Sequence, residues 1–263
     1  MITLHTFASG SEGNCLLLSR DGTHLLVDAG ISARRITASL APLGLRPEDL
    51  GGILLTHAHS DHISGLQTLC RRRDIPLYAS AGTARQIAYR MAGAERLLHT
   101  VICGETFSLG SFAITAFPTS HDAGDCVDYR LDGGGTGVGI LTDTGTVLPE
   151  AAQALEGAAL LVLESNHDVD LLRAGPYPYQ LKERILSDWG HLSNESAAAF
   201  AARMAQCGTR QIVLAHLSKE NNTPALALAA VSAAVAPWGT AVEVAPRSEV
   251  SRPYVIEEKV CSV

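Results

Sequence analysis

A chain of 263 residues and 27.7 kDa, 46% hydrophobic and with a mean hydropathy of +0.14, is long enough for a sizeable core and too apolar for a disordered majority. Its formal charge of -7 gives no electrostatic support for a nucleic-acid partner, since such binding draws on phosphate neutralisation, although bound metal ions would bring positive charge of their own. No apolar stretch is long enough to span a bilayer, and the opening MITLHTFASG lacks the basic-then-apolar pattern of a signal peptide, so the expectation is a cytoplasmic protein without a membrane partner.

In chain order, apolar runs predict strands near Ile2 to Ala8, Cys15 to Leu18, His24 to Val27 and Gly52 to Leu55. A helix follows from Ile63 to Arg73, with Leu66, Leu69 and Cys70 on one face, then a strand around Leu77 and a helical segment from Gly82 to Ala92. Strands are predicted near Phe107, at Phe112 to Phe117 and at Gly137 to Leu141, and the runs ALLVLE, QIVLAH and AVEVA read as further strands. Helices are predicted at Leu148 to Leu155, Tyr179 to Ser187, Asn194 to Cys207 and Pro224 to Val235. Hairpins first and βα units afterwards favour a pair of mixed sheets with helices outside. No linker divides the chain and no solenoid repeat is present, so residues 1–263 are expected to form one domain. Six cysteines (Cys15, Cys70, Cys103, Cys126, Cys207 and Cys261) lie far apart without a C-x-x-C pair and read mostly as buried small hydrophobes.

The densest chemistry is ILLTHAHSDHISG, Ile53 to Gly65. His57 and His59 are two apart, so in an extended segment they project the same way and can grip one metal ion. Asp61 and His62, after the chain turns towards the helix, can grip a second. The segment sits at a strand-to-helix crossing, where open α/β sheets place their ligand sites. Four unpaired polar groups there would make a poor core, whereas imidazole and carboxylate suit zinc and similar divalent ions. Three further candidates stand at strand ends: His121 in ITAFPTSHDAG, Asp143 in GVGILTDTG and His216 in QIVLAHLSKENN. Alone, Asp143 reads equally as an ordinary turn residue before Gly145, and His121 and His216 as satisfied strand-end histidines. Together they repair the same ligand deficit, and their spread over both halves of the chain points to a site between two sheets.

H-x-H-x-D-H followed by separate His, Asp and His at strand ends resembles the metallo-β-lactamase superfamily. That resemblance implies an α/β, four-layer αββα sandwich with a dinuclear site at the sheet edge. It implies that His57, His59 and His121 hold one metal, that Asp61, His62 and His216 hold the other, and that Asp143 bridges them. Asp28 in LLVDAG would orient a ligand. Two divalent ions, Zn²⁺ or Mn²⁺ and also Fe²⁺, are the implied cofactors.

Glu164 at the end of ALLVLE and His191 in SDWGHLSNE resemble the Glu–His relay of RNase Z-type nucleases. A general acid is what phosphodiester cleavage needs, because a departing alkoxide is a poor leaving group. FASGSEGNC, LESNHDVDLL, GHLSNE and HLSKENN, in that order, resemble the YycJ/WalJ branch, described as bacterial 5′-to-3′ DNA exonucleases associated with mismatch repair. By that resemblance a metal-bridging hydroxide attacks phosphorus, with Asp61, His191 and Glu164 as catalytic residues and His191 as the acid. The substrate is nucleic acid, DNA before RNA. Ser9, Ser11 and Asn14 of SGSEGN, with Ser218, Lys219 and Asn222, are candidate substrate contacts. Arg34, Arg35, Arg71, Lys182 and Arg184 are candidates for a basic mouth. Competing readings are a small-molecule phosphodiesterase, a thioester or lactone hydrolase on the same metals, and a non-enzymatic metal-stabilised scaffold. Metal identity, oligomeric state and the role of His167 stay open.

Overall fold

A computed structural model describes residues 1–71 and 73–257; Cys261 lies outside the described residues. The chain opens with three antiparallel strands, β1 (Ile2–Ala8), β2 (Cys15–Arg20) and β3 (Thr23–Val27). Helix α1 (Ala33–Leu40) then crosses to β4 (Gly52–Leu54), parallel to β3. Two short helices, α2 (Ser60–Ile63) and α3 (Leu66–Cys70), lead to β5 (Leu77–Ala79), and α4 (Ala81–Arg90) leads to β6 (Leu98–Thr100). A meander follows: β7 (Thr106–Leu109), β8 (Phe112–Pro118), β9 (Val127–Gly133) and β10 (Thr136–Leu141). Helix α5 (Pro149–Leu155) connects to β11 (Leu160–Glu164). Helices α6 (Val169–Ala174), α7 (Tyr179–Leu186) and α8 (Asn194–Gln206) precede β12 (Gln211–Ala215). The chain then runs through α9 (Pro224–Val235), β13 (Ala241–Val244) and β14 (Tyr254–Ile256), which returns to pair with β1.

Among the described residues the strands form two seven-stranded sheets, ordered β14-β1-β2-β3-β4-β5-β6 and β13-β12-β11-β10-β9-β8-β7. Alternation along the strands assigns each side chain to a layer. On β2, Leu16 and Leu18 point between the sheets, while Cys15 and Leu17 join Ile36, Leu40 and Ile87 of the outer helices. On β11, Leu160 and Val162 point between the sheets, while Leu161 and Leu163 pack with Leu155, Met204 and Val231. Three apolar layers between four structural layers follow, the expected αββα sandwich. Tyr129 pins the two sheets together: its hydroxyl, fully buried, donates to the Leu55 carbonyl at 2.8 Å.

Several local expectations change. The helix predicted from Ile63 to Arg73 is broken at Ser64 and Gly65, because the Gly65 N–H donates to Ala29 O at 2.9 Å and a Cβ there would lie 2.0 Å from Ile31 O. β9 escapes the apolar pattern because Asp128 interrupts it; that carboxylate is buried and takes the N–H groups of Thr142 and Tyr129 at 2.7 and 3.1 Å. Helices α1 and α6 and the short edge strand β6 are additions too. Of the described cysteines, Cys15, Cys70 and Cys126 are buried, while Cys103 and Cys207 are exposed.

Candidate metal centre and general-acid pair

The site lies at the carboxyl ends of the parallel strands of both sheets, where the backbone must turn sharply out of the ladder. Three of its residues do so in the left-handed region, Asp28 at φ 61°, Asp143 at 51° and His216 at 56°, a conformation that Asp and His tolerate better than most non-glycine residues. Gly30 has a different duty. A Cβ on it would lie 1.6 Å from the Asp61 carbonyl, so the glycine of LLVDAG lets the histidine-rich loop pack directly on the backbone after β3.

Donors gather in groups whose atoms lie within 4.8 Å of one another: His57, His59 and His121; Asp61, His62 and His216; His57, His62 and Asp143; and Asp143, Glu164, His191 and His216. Asp143 faces both triads, with Oδ2 3.3 Å from His62 Nε2 and Oδ1 3.9 Å from His121 Nε2. Five imidazoles share one orientation. Nδ1 of His57 donates to Thr56 Oγ1 at 3.0 Å, that of His62 to Asp28 Oδ2 at 2.7 Å and that of His121 to Gly190 O at 3.2 Å. His191 and His216 both donate from Nδ1 to Glu164 Oε1, at 2.7 and 2.9 Å. Each outward bond fixes a tautomer and leaves Nε2 as a lone pair for an ion or, on His191, as a proton site.

Buried Nε2 atoms of His57 and His216 make no hydrogen bond. Buried polar atoms without partners are costly, and an inward ring of imidazoles and carboxylates relieves that cost by coordinating a cation; the donor set suits a divalent metal. Without an ion the donors differ in charge. Burial disfavours the His57 imidazolium first of all, and the neighbouring His62 adds to the effect, so its pKa is well below the usual histidine value. Burial also opposes charge on His216, but Asp143, Asp61 and Glu164 outweigh it and raise its pKa to about 10. Asp143 follows the inverse pattern: burial opposes its ionisation, and His216 and His62 overcome that and hold it well below the carboxylate range.

Glu164 is fully buried, yet its pKa is lowered to about 2, because His191 and His216 more than offset burial. Its second oxygen accepts from the backbone N–H groups of Thr144 and Leu192, both at 3.1 Å. Burial works against the His191 imidazolium, and the Glu164 carboxylate reverses that and raises its pKa above the ordinary histidine value.

Expected substrate contacts divide by their bonding. Ser9 Oγ accepts from the His216 N–H at 2.8 Å, Asn14 Nδ2 lies 3.0 Å from His62 Nε2, and Asn222 bonds Asn194 and the Ser165 carbonyl at the base of the site. Ser11 and Ser218 line a cavity beside His191, with Ser218 Oγ accepting from the backbone and side-chain N–H groups of Asn221 at 3.2 and 3.3 Å and keeping its own proton to donate. In the SGSEGN loop the N–H groups of Ser9, Gly10, Gly13 and Asn14 are bonded within the protein, to Arg247 O, Asn14 Oδ1, Gly10 O and Asp61 O. Of the basic-mouth candidates, Arg184 lines the cavity and pairs with Asp122. Arg35 donates to Ser248 O and Lys182 to Arg173 O, while Arg71 lies in a separate surface hollow with Gln67 and Met91. Lys219 faces Glu12 at 3.7 Å. His167 is buried with both ring nitrogens unbonded, and burial lowers its pKa to about 4.

Sequence reasoning passed over Thr56, whose hydroxyl donates to Asp28 Oδ2 at 2.9 Å, and Asp122, 3.4 Å from His121 Nε2. Both adjoin a recognised histidine in sequence, which was the available signal. Asn166 was passed over as well; its side-chain amide donates to the His216 carbonyl at 2.9 Å.

Residues 23–217 match the family model described as "Beta-lactamase superfamily domain", so the chain belongs to that superfamily. Within it, the chain belongs to the family of YycJ and WalJ. It is 40% identical over 228 residues to "Exodeoxyribonuclease YycJ" of Bacillus anthracis, covering 86% of each protein, and 43% identical over 223 residues to "Exodeoxyribonuclease WalJ" of Streptococcus pneumoniae, covering 84% of this chain and 83% of that one. The crystal structure of YhfI from Bacillus subtilis, described as a metallo-beta-lactamase fold protein, superposes with a TM-score of 0.72 at 19% identity, covering 95% of this chain and 98% of that one, and shows the shared fold.

Proposed function

We propose that this protein is a metal-dependent nuclease, a 5′-to-3′ DNA exonuclease of the YycJ/WalJ type, with two divalent ions, zinc or manganese, at its centre. The names and 40–43% identity of its relatives support that substrate class. His57, His59 and His121 would hold one ion and Asp61, His62 and His216 the other, with Asp143 between them. Bound ions supply Lewis-acid polarisation of the phosphoryl oxygens and a lowered pKa for water.

The chain's own residues supply the rest. A water oxygen bonds to phosphorus as the P–O3′ bond breaks, its electron pair going to the 3′-oxygen. His191 gives that oxygen a proton from Nε2, and Asp61 passes the water's proton to solvent, so the shortened strand carries a 5′-phosphate. The observation that carries this reading is the Glu164–His191 bond of 2.7 Å: an imidazolium held beside the donor cluster serves an alkoxide leaving group, whereas a thiolate leaves without a proton. The test is nucleotide release from 5′-phosphorylated double-stranded DNA by protein loaded with zinc or manganese in separate samples. Metal-dependent release of mononucleotides is the expected result. No DNA cleavage by metal-loaded protein, with turnover of thioesters or lactones instead, would overturn the proposal.

A further inference from the structure

A cavity of about 200 Å³ opens against His191, and three of its lining residues are apolar: Tyr177, Leu181 and Ile185. Leu181 and Ile185 stand one turn apart on α7 and Tyr177 just ahead of it, so the three share one side of this segment. No residue of α7 is fully buried, and these three side chains are partly buried, with some of their surface open to the cavity. An apolar trio partly open beside a charged site needs a reason. The remaining wall is polar: Ser11, Asn166 and Ser218 line the same space. Asn166 and Gly190 give the space a fixed wall, since Asn166 is tied to the His216 carbonyl and Gly190 packs so tightly that a Cβ would lie 2.2 Å from Ile185 O.

Resting on the nuclease reading above, we propose that this cavity seats the 5′-terminal nucleotide. Its sugar and base lie against Tyr177, Leu181 and Ile185, and its 5′-phosphate lies towards the hydroxyls of Ser11 and Ser218. The direction of cleavage fixes this placement. The proton from His191 goes to the 3′-oxygen of the nucleotide being released, so the sugar that carries this oxygen must lie against His191, and this cavity is the space there. Arg184, neutralised by Asp122, shapes the wall without adding net charge, which leaves apolar contact as the means of holding a base of any identity. To enter, the terminal base of a duplex must first leave its partner.

The test compares Leu181→Trp, which fills the cavity, and Leu181→Ala, which strips its wall, with the wild type. Metal content and unfolding temperature are checked first. Thymidine 5′-monophosphate, the released product, is titrated by calorimetry into each metal-loaded protein, and kcat/KM is measured on 5′-phosphorylated DNA and on methyl p-nitrophenyl phosphate. Leu181→Ala should weaken monophosphate binding and lower kcat/KM on DNA about tenfold or more, the range for a lost apolar contact, and Leu181→Trp should abolish binding. The loss on DNA should exceed that on the small diester at least about tenfold. Unchanged monophosphate binding in Leu181→Trp, or equal losses on both substrates, would overturn the assignment. A wild type that cuts no DNA would remove the nuclease reading instead, and the monophosphate titration would still decide the cavity.

Discussion

The two sheets have the same plan, three antiparallel pairings and then three parallel ones, yet they furnish the site differently. In the first sheet β14 to β3 are antiparallel and β3 to β6 parallel; in the second, β7 to β10 are antiparallel and β10 to β13 parallel. The first sheet delivers His57, His59, Asp61 and His62 in one loop after β4. The second delivers His121, Asp143, Glu164 and His216 singly, from the ends of β8, β10, β11 and β12. A contiguous loop is set by local backbone and by one close approach, that of Gly30 to Asp61. The dispersed set depends on the register of a whole sheet and on left-handed turns at Asp143 and His216. Identical architecture thus leaves one half of the centre locally encoded and the other encoded only by the fold.

Substitutions should affect the two halves of the centre unequally, and Asp143→Asn should be the most severe. Asp143 faces a donor of each triad, His62 and His121, so its loss should remove bound metal as measured by elemental analysis and reduce DNA cleavage to background. Retention of full metal content would show that the two triads hold metal without a bridge between them. Next in size is His191→Ala, for which kcat should fall by about 10²- to 10⁴-fold, the usual contribution of a general acid, with metal content unchanged. The acid is the imidazolium and Glu164 raises its pKa, so activity should be present at neutral pH and fall as pH rises through that value. Glu164→Gln removes the raising charge and should move this alkaline limb to lower pH, read from a pH–rate profile.

A smaller effect is expected from Asp28→Ala. Asp28 holds His62 by a 2.7 Å bond and takes the Thr56 N–H and hydroxyl, and loss of such an orienting carboxylate typically costs about 10- to 100-fold in metal affinity. Competition with a chelator would measure it, and unchanged affinity would mean that the loop holds its own geometry. The smallest effect belongs to Tyr129→Phe. It deletes the bond from the second sheet to Leu55 O and should lower stability in urea by about 1–3 kcal/mol, because a buried carbonyl loses its partner, while activity per bound metal stays constant.

The contrast between the sheets also explains what was legible in the sequence. H-x-H-x-D-H is visible because its donors are neighbours in the chain, and β11 and β12 are visible because their apolar runs are unbroken. β9 was hidden by Asp128, whose burial is supported by backbone N–H groups that no local pattern reveals. The break at Gly65 was hidden because its cause, the Ala29 carbonyl, lies across the sheet end. Glu164 and His191 could be paired from their motifs, but the sharing of one Glu164 oxygen between His191 and His216 is a product of packing. Likewise Ser9, Asn14 and Asn222 read as substrate contacts, and the fold turns their side chains towards other protein groups.

In the proposed chemistry His191 protonates the leaving 3′-oxygen, and one substrate isolates that step. In a DNA end whose first scissile 3′-oxygen is replaced by sulfur, the leaving thiolate needs no proton. Single-turnover cleavage by metal-loaded His191→Ala should be slow on the oxygen linkage and return to near the wild-type rate on the sulfur linkage. A variant equally slow on both linkages would contradict the acid role of His191 and with it the proposed chemistry of the site.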